Sequence, residues 1–396
     1  MEKTEREIKF PDFPKIEYEQ RIKRAKVLME ENNIDALVLF NQQNIRYYTG
    51  FEKTNYANDT SWRRSVIIPR EGYTVAIVPQ ILYGNFRVST WAEDIRPFGG
   101  PKYLGYPKDH HQVLIGVINE LELGNKNIAT ELDSTMMPDL TFREFEAIKK
   151  DLPHANIVDA STIIWEQREI KSDYEIRVFR ELTGKAMRSF SRAVKSLKEG
   201  MTEKDFHALL TKAYLEEGFH SITYGSHSYI GGPGKRDVHM LSYTNTVLRK
   251  GDVITFGGGP IWKGYFNDFM RNISIGDPPN TMKRFYEKIL KSHEAAIDAI
   301  RPGIKASEIY QAAENNRKGF DMVIKFIGHG IGLQNHEPPY IDPESEHELR
   351  TNMIISVEVG GYHEGKKLWP ADMILVTKRG YDVLTGSLSR ELWVAK

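Results

Sequence analysis

The feature that most constrains this chain is a repeat. "SDYEIRVFRELTGKAMRSFSRAVKSLKEG" (172–200) reads as a long amphipathic helix, and "GMTEKDFHALLTKAYLEEGF" as a second, followed by a β-rich segment carrying histidines. About a hundred residues later the order returns. "MKRFYEKILKSHEAAIDAIRPG" (282–303) is a long helix, "GIKASEIYQAAENNRKGF" another, and a second β-rich, histidine-bearing segment follows. "LKEGMTEKDFHALL" and "IRPGIKASEIYQAA" align as Gly, an apolar residue, a polar cap and an acidic amphipathic helix. Ser172 and Glu175 have the spacing of a capping box. One such helix entry is common, but two long helices repeating in register predict helix–helix–strands twice over. The expectation is an α+β domain with an internal pseudo-twofold repeat and a ligand pocket at the interface of its halves.

The residues before the repeat read differently. "YEQRIKRAKVLMEENNI" (18–34) has apolar residues at helical spacing and ends in Asn-Asn, a helix stop. Short apolar runs follow at "ALVLF" (36–40), "SVIIP" (65–69) and "TVAIVP" (74–79), the last two joined by "REGY", a hairpin turn. With "ANIVDAS" (155–161) they predict an N-terminal α/β domain with a mixed sheet over 1–165, leaving 166–396 for the repeated domain. A chain of 396 residues is long enough for two cores.

Composition narrows the partners. Lys plus Arg equals Asp plus Glu, 54 against 54, which argues against nucleic acid or a polybasic membrane anchor. There is no cysteine, so a metal would have to be held by carboxylates and histidines. The first residues are polar, and no apolar run nears the ~18 to 20 residues that cross a bilayer. The expectation is a cytoplasmic protein acting on a small molecule.

The reactive side chains lie in the β-rich segments. "YGSHSYIGGPGKRDVHMLSYTN" holds His227 and His239 among glycines; taken alone, such histidines are more often surface residues. "DVITFGGGPIWKGYFNDFMRN" reads as two strands joined by a turn, with Asp268 near the start of the second, where a lone Asp is usually a turn former. "FIGHGIGLQNHEPPYI" sets His329 and His336 seven positions apart, and Gly-His-Gly permits close backbone approach to the imidazole. The strand "IISVEVG" carries Glu358, which burial requires to be paired, protonated or ligating. Asp268, His329 and Glu358 together form a His-plus-two-carboxylate set suited to a single divalent ion.

Ordered blocks tie these segments to a known family. "NQQNIRYYTGF", "REIKSDYEI", "GHGIGLQNHEPP", "SVEVGGY" and "ILVTKRGYDVLTG" resemble the signatures of the creatinase, prolidase and aminopeptidase P family, whose C-terminal domain has the pita-bread fold. In its metallopeptidases, Asp, Asp, His, Glu and Glu hold two metals. The resemblance carries the second Asp onto Asp268, the His onto His329 and the first Glu onto Glu358. The first Asp falls on Gly257, eleven positions before Asp268, and the last Glu on Ala371, beside Asp372. It implies no dinuclear site, and at most one divalent ion on Asp268, His329 and Glu358.

The resemblance also assigns roles outside the metal set. His239 matches the histidine that acts as acid and base in the metal-free creatinase branch, and His336 the histidine of the "HExP" string. Met270 stands where a glutamate binds guanidinium there, which disfavours creatine. Arg63 and Arg64 are implied to face the partner subunit's pocket in a homodimer and to hold a substrate carboxylate.

The leading expectation is therefore hydrolysis of a non-peptide C–N bond in a small polar, carboxylate-bearing substrate. His239 would move the proton, with His329, His336 and Glu358 positioning the substrate or one metal. The alternatives are a metal-dependent lyase of the dimethylsulfoniopropionate type, an Xaa-Pro peptidase-like protein, and a non-catalytic binding module.

Overall fold

The computed structural model describes residues 10–51, 63–100, 107–219, 227–231, 243–317, 325–363 and 366–395. The chain divides into two compact units, Met1–Arg168 and Glu169–Lys396. The division falls at the end of helix Ser161–Arg168, which contains the boundary expected at 165.

In the first unit the strands are β1 (Ala36–Leu39), β2 (Ser65–Pro69), β3 (Val75–Pro79), β4 (Asp94–Phe98), β5 (Asn127–Thr130) and β6 (Asn156–Asp159). They form one sheet in the order β4-β3-β2-β1-β5-β6. β1–β2 and β2–β3 are antiparallel, while β3–β4, β1–β5 and β5–β6 are parallel, so the sheet is mixed as expected. The helices are α1 (Lys15–Glu31), α2 (Gln42–Thr49), α3 (Tyr83–Ser89), α4 (His110–Glu120), α5 (Phe142–Asp151) and α6 (Ser161–Arg168). Val38, Ile67, Ile77, Leu114, Ile118 and Ile128 anchor the core between sheet and helices.

The block "NQQNIRYYTGF" becomes α2 with both ends specified. The Asn41 side chain accepts from the amides of Gln43 and Asn44 at the N-terminus. Gly50, with φ of 79°, ends the helix, and a Cβ there would lie 2.8 Å from the Tyr18 ring.

The second unit contains α7 (Asp173–Ser196), α8 (Glu203–Glu216), α9 (Asn280–Asp298) and α10 (Ala306–Asn316). The predicted box closes α7: the Ser172 hydroxyl accepts from Glu175 N, and the Glu175 carboxylate accepts from Ser172 N. Its strands are β7 (His227–Gly231), β8 (Val253–Gly258), β9 (Ile261–Trp262), β10 (Tyr265–Phe266), β11 (Phe269–Ile275), β12 (Gly328–Gly330), β13 (Glu337–Tyr340), β14 (Ile354–Glu358), β15 (Gly361–His363), β16 (Lys366–Leu368), β17 (Ala371–Thr377), β18 (Gly380–Val383) and β19 (Trp393–Ala395). The main sheet runs β13-β12-β14-β17-β11-β8-β7, with β18 on β17 and β19 on β11. β12-β14-β17 therefore mirrors β7-β8-β11 about the β17–β11 junction.

The duplication extends to single hydrogen bonds. Gly200 N donates to Leu248 O at 2.9 Å and Gly303 N to Leu349 O at 2.7 Å. Gly251 N donates to Ile275 O, and Asn352 N to Val376 O, both at 2.8 Å. The helix-cap positions Thr202 and Lys305 each form an isolated bridge, to Val247 and Glu348. The offset that pairs Leu248 with Leu349 also pairs Gly257 with Glu358 and Met270 with Ala371. One core, including Ile289, Ile297, Ile309, Ile327, Val357 and Ile374, packs α9 and α10 against the sheet.

Candidate functional site

Strand register decides which side chains share a face. Met270 of β11 is opposite Gly257 of β8 on one side and Ala371 of β17 on the other. Ala371 is in turn opposite Glu358 of β14, so Gly257, Met270, Ala371 and Glu358 form one row across the sheet. Directly opposed residues point to the same face. His329 of β12 pairs with Ser356, two residues before Glu358, so the pleat's period of two sets His329 on that face as well. Asp268, two residues before Met270, follows by the same period.

These three groups meet. His329 Nε2 lies 3.3 Å from Asp268 Oδ2 and 3.4 Å from Glu358 Oε1, and all three side chains are buried. Its other ring nitrogen, Nδ1, is 2.9 Å from the Gly330 carbonyl, a donor contact that fixes the ring's orientation. Burial alone would lower the His329 pKa, but the flanking Asp268 and Glu358 overcome it and hold it at about 10. Burial raises Glu358, and His329, followed by Lys367, offsets part of that shift.

His336 is beside this group, with its ring centroid 4.2 Å from that of His329. Partial desolvation and then the charge on His329 push it down to about 4, although its edge is open to solvent, so it is neutral at neutral pH. Glu337, the acid of the same string, is structural. It is buried, 3.5 Å from the Lys171 ammonium, and accepts from Gln334 N.

The row does not fit a two-metal centre. Gly257 and Ala371 offer no donor, and between them Met270, Trp369 and Ala371 form a buried apolar cluster. Among the described residues, no group of three or more His, Asp or Glu side chains is arranged to hold a metal ion. Asp372 does not replace the missing carboxylate, because it points to the opposite face. There it accepts from Arg271 Nη2 at 2.8 Å, Thr385 Oγ1 at 2.5 Å and Arg390 Nε at 2.5 Å, with His293 Nε2 at 3.0 Å. Burial lowers the His293 pKa, and the guanidiniums of Arg271 and Arg390 bring positive charge to Asp372.

The remaining expected residues lie elsewhere. His239 falls outside the described residues, as does the segment 52–62 before Arg63. In the first unit, Arg63 Nε donates to Glu144 at 2.8 Å, and buried Arg64 is 3.6 Å from Asp139. Sequence reading missed Trp369, which packs on Met270 and Ala371, and Lys367, whose ammonium is 3.7 Å from the centroid of the Trp369 ring. The signal was "KKLWPA", a basic pair followed after one residue by an aromatic just before β17.

Comparison with known proteins agrees with this architecture. The profile of metallopeptidase family M24 matches residues 175–378, and that of the creatinase/prolidase N-terminal domain matches 21–170. The protein named probable dipeptidase PepE of Mycobacterium tuberculosis is 26% identical over 383 residues, covering 92% of this chain and 93% of its own length. The crystal structure of an X-Pro aminopeptidase from Thermotoga maritima superposes with a TM-score of 0.78 at 24% identity, covering 94% of this chain and 99% of that one. A prolidase from Thermococcus sibiricus gives a TM-score of 0.81 at 22% identity, covering 95% and 99%. With both profiles and the pita-bread sheet in agreement, this chain belongs to metallopeptidase family M24.

Proposed function

We propose that the chain hydrolyses a C–N bond in a small, carboxylate-bearing substrate, and that an Xaa-Pro dipeptide is the first substrate class to test. The observation that carries this reading is the buried trio in which His329 lies between Asp268 and Glu358, with His336 at its edge. The names of the relatives support the Xaa-Pro choice over the non-peptide substrate expected from sequence, and they lend no support to a lyase.

In this reading, water's oxygen bonds to the carbonyl carbon, the C–N bond breaks, and the nitrogen leaves with a proton. His239 takes the proton from water and returns it to the nitrogen. Neutral His336 accepts a substrate hydrogen bond, while His329 and Glu358 hold the carbonyl in line. No step is assigned to a metal, since Gly257 and Ala371 stand where the family resemblance places two of the metal-binding carboxylates.

A second reading, a creatinase-like non-peptide amide, is favoured by one feature: Gly257 and Ala371 remove the donors that two-metal peptidase chemistry requires. The chain is further proposed to act in the cytoplasm as a homodimer. Among the described residues no helix is long and apolar enough to cross a membrane. The test is release of free amine from Ala-Pro, Gly-Pro and Leu-Pro, against a panel of N-acyl and guanidino acids. Turnover of the Pro dipeptides supports the first reading, and turnover of the panel alone supports the second. Turnover of neither would reject both.

A further inference from the structure

Lys171 is a buried charged side chain that the hydrolytic reading does not use. It is 2% exposed, its ammonium lies 3.5 Å from Glu337 Oε2, and Glu337 is itself fully buried. Lysine and glutamate are almost never buried to this degree unless paired, because either charge alone is costly in an apolar surrounding. Even a buried pair is often no more stabilising than apolar residues of the same volume. What such a pair can add is a fixed geometry, and here the geometry belongs to the turn that carries His336.

The Glu337 carboxylate lies inside that turn. Its Oε1 accepts from Gln334 N at 3.0 Å, and Gly332 N donates to Gln334 O at 3.1 Å. A Cβ on Gly332 would come within 2.5 Å of Glu337 Oε2, so the carboxylate fills the space that a side chain at 332 would take. The Glu337 backbone pairs with Gly330, the residue after His329. Gly332 O accepts from Phe266 N at 2.9 Å, which ties the turn to the chain two residues before Asp268. Lys171 reaches the carboxylate from a fixed point of its own: its amide donates to Asn352 O at 2.9 Å, and Ser172 caps α7 directly after it. His336, the chain neighbour of Glu337, is exposed, with its ring centroid 4.2 Å from that of His329. An exposed ring is set chiefly by the backbone that carries it, so its place at the site depends on the turn beneath.

We propose that Lys171 is a positioning residue, whose ion pair with the buried Glu337 carboxylate closes the turn from Gly332 to Glu337 and so sets the His336 ring at the edge of the site. This inference rests on the reading in which His336 touches substrate, and is independent of which C–N bond is cleaved there. Lys171 touches no reacting atom in this account and acts through Glu337.

The experiment is NMR of the full chain labelled with ¹³C at the histidine Cε1, with the His336 and His293 signals assigned from His336→Asn and His293→Asn. His293, buried on the opposite face of the sheet, reports an intact fold. Lys171→Met should move the His336 signal toward its position in the unfolded chain while leaving that of His293 in place. The double variant Lys171→Met with Glu337→Met, which buries no charge in the pair's place, should keep the fold and show the same displacement of His336. A His336 signal unchanged in either folded variant would overturn the proposal. Failure of both variants to fold would also overturn it, since the pair would then be a requirement of the fold rather than of the turn. On whichever substrate the amide panel yields, Lys171→Met should raise KM about two- to tenfold, the worth of one hydrogen bond, with kcat within about twofold. A fall in kcat at unchanged KM would overturn the positioning role. Because the spectra use no substrate, loss of the C–N hydrolase reading and loss of this inference are read separately.

Discussion

Replacing Asp372 with asparagine separates a scaffold role from a ligand role. Its carboxylate is fully buried and accepts from Arg271, Thr385 and Arg390, with His293 at 3.0 Å. Arg271, also fully buried, donates further to the carbonyls of Met270 and Ala371, so the pair fastens β11 to β17 behind the site. Removing one partner of a buried ion pair typically costs ~3–5 kcal/mol, because the other charge stays buried and uncompensated. Asparagine keeps the shape and one acceptor oxygen, so the lower end, about 3 kcal/mol, is expected. Urea denaturation at pH 7 should show a lower midpoint with an unchanged slope. The pH dependence has a definite sign. Paired guanidiniums hold the Asp372 carboxyl well below the usual carboxylate range, against the opposing effect of burial. Its contribution is therefore present above the unfolded value of ~3.9 and is lost as pH falls below it, so the gap between wild type and variant should narrow in acid. A loss under about 1 kcal/mol at pH 7 would refute this reasoning, since that is the range of exposed pairs.

Four further outcomes follow from the proposed site. Glu358→Gln and His329→Asn should each lower turnover by ~10² to 10⁴, measured as kcat on whichever substrate the panel yields. His329, raised to about 10, lends stability that is complete below its unfolded value near 6.5 and is lost as pH rises through about 10; thermal melts of wild type and His329→Asn from pH 6 to 10.5 should converge at the alkaline end. His239→Asn should reduce kcat by ~10² to 10⁴ while KM changes much less, and an equal loss in Asp268→Asn with none in His239→Asn would reject its acid–base role. Sedimentation equilibrium at micromolar concentration should give a dimer, and a monomer with full activity would reject a pocket shared between subunits.

Much of the fold was legible because it is written twice. The helix caps at Thr202 and Lys305, and the glycines at 200 and 303, recur in register, and hydrogen bonds of the same pattern join both halves. Sequence reading ran the first long helix on to Gly200, whereas α7 stops at Ser196; the last residues instead place Gly200 to bond Leu248. His329, Asp268 and Glu358 were recognisable singly, since each breaks an apolar or glycine-rich strand. What replaces the missing carboxylates was not. That Met270 lies between Gly257 and Ala371 depends on pairing among three strands far apart in sequence, and register is a tertiary property. Lys367 escaped notice because a lysine beside another lysine reads as a solvated pair, and only the core contact of Leu368 turns it inward. Asp372 was ambiguous for the same reason: one residue's shift along β17 decides which face it occupies.

The central claim is that this member of the family keeps the site's frame without its two-metal centre. Elemental analysis of the purified full chain after mild dialysis tests it most directly. The arrangement of Gly257, Met270, Trp369 and Ala371 beside the Asp268–His329–Glu358 trio predicts at most one divalent ion per chain, loosely held and removed by dialysis against EDTA. Two metal ions per chain, retained through the same dialysis, would contradict it.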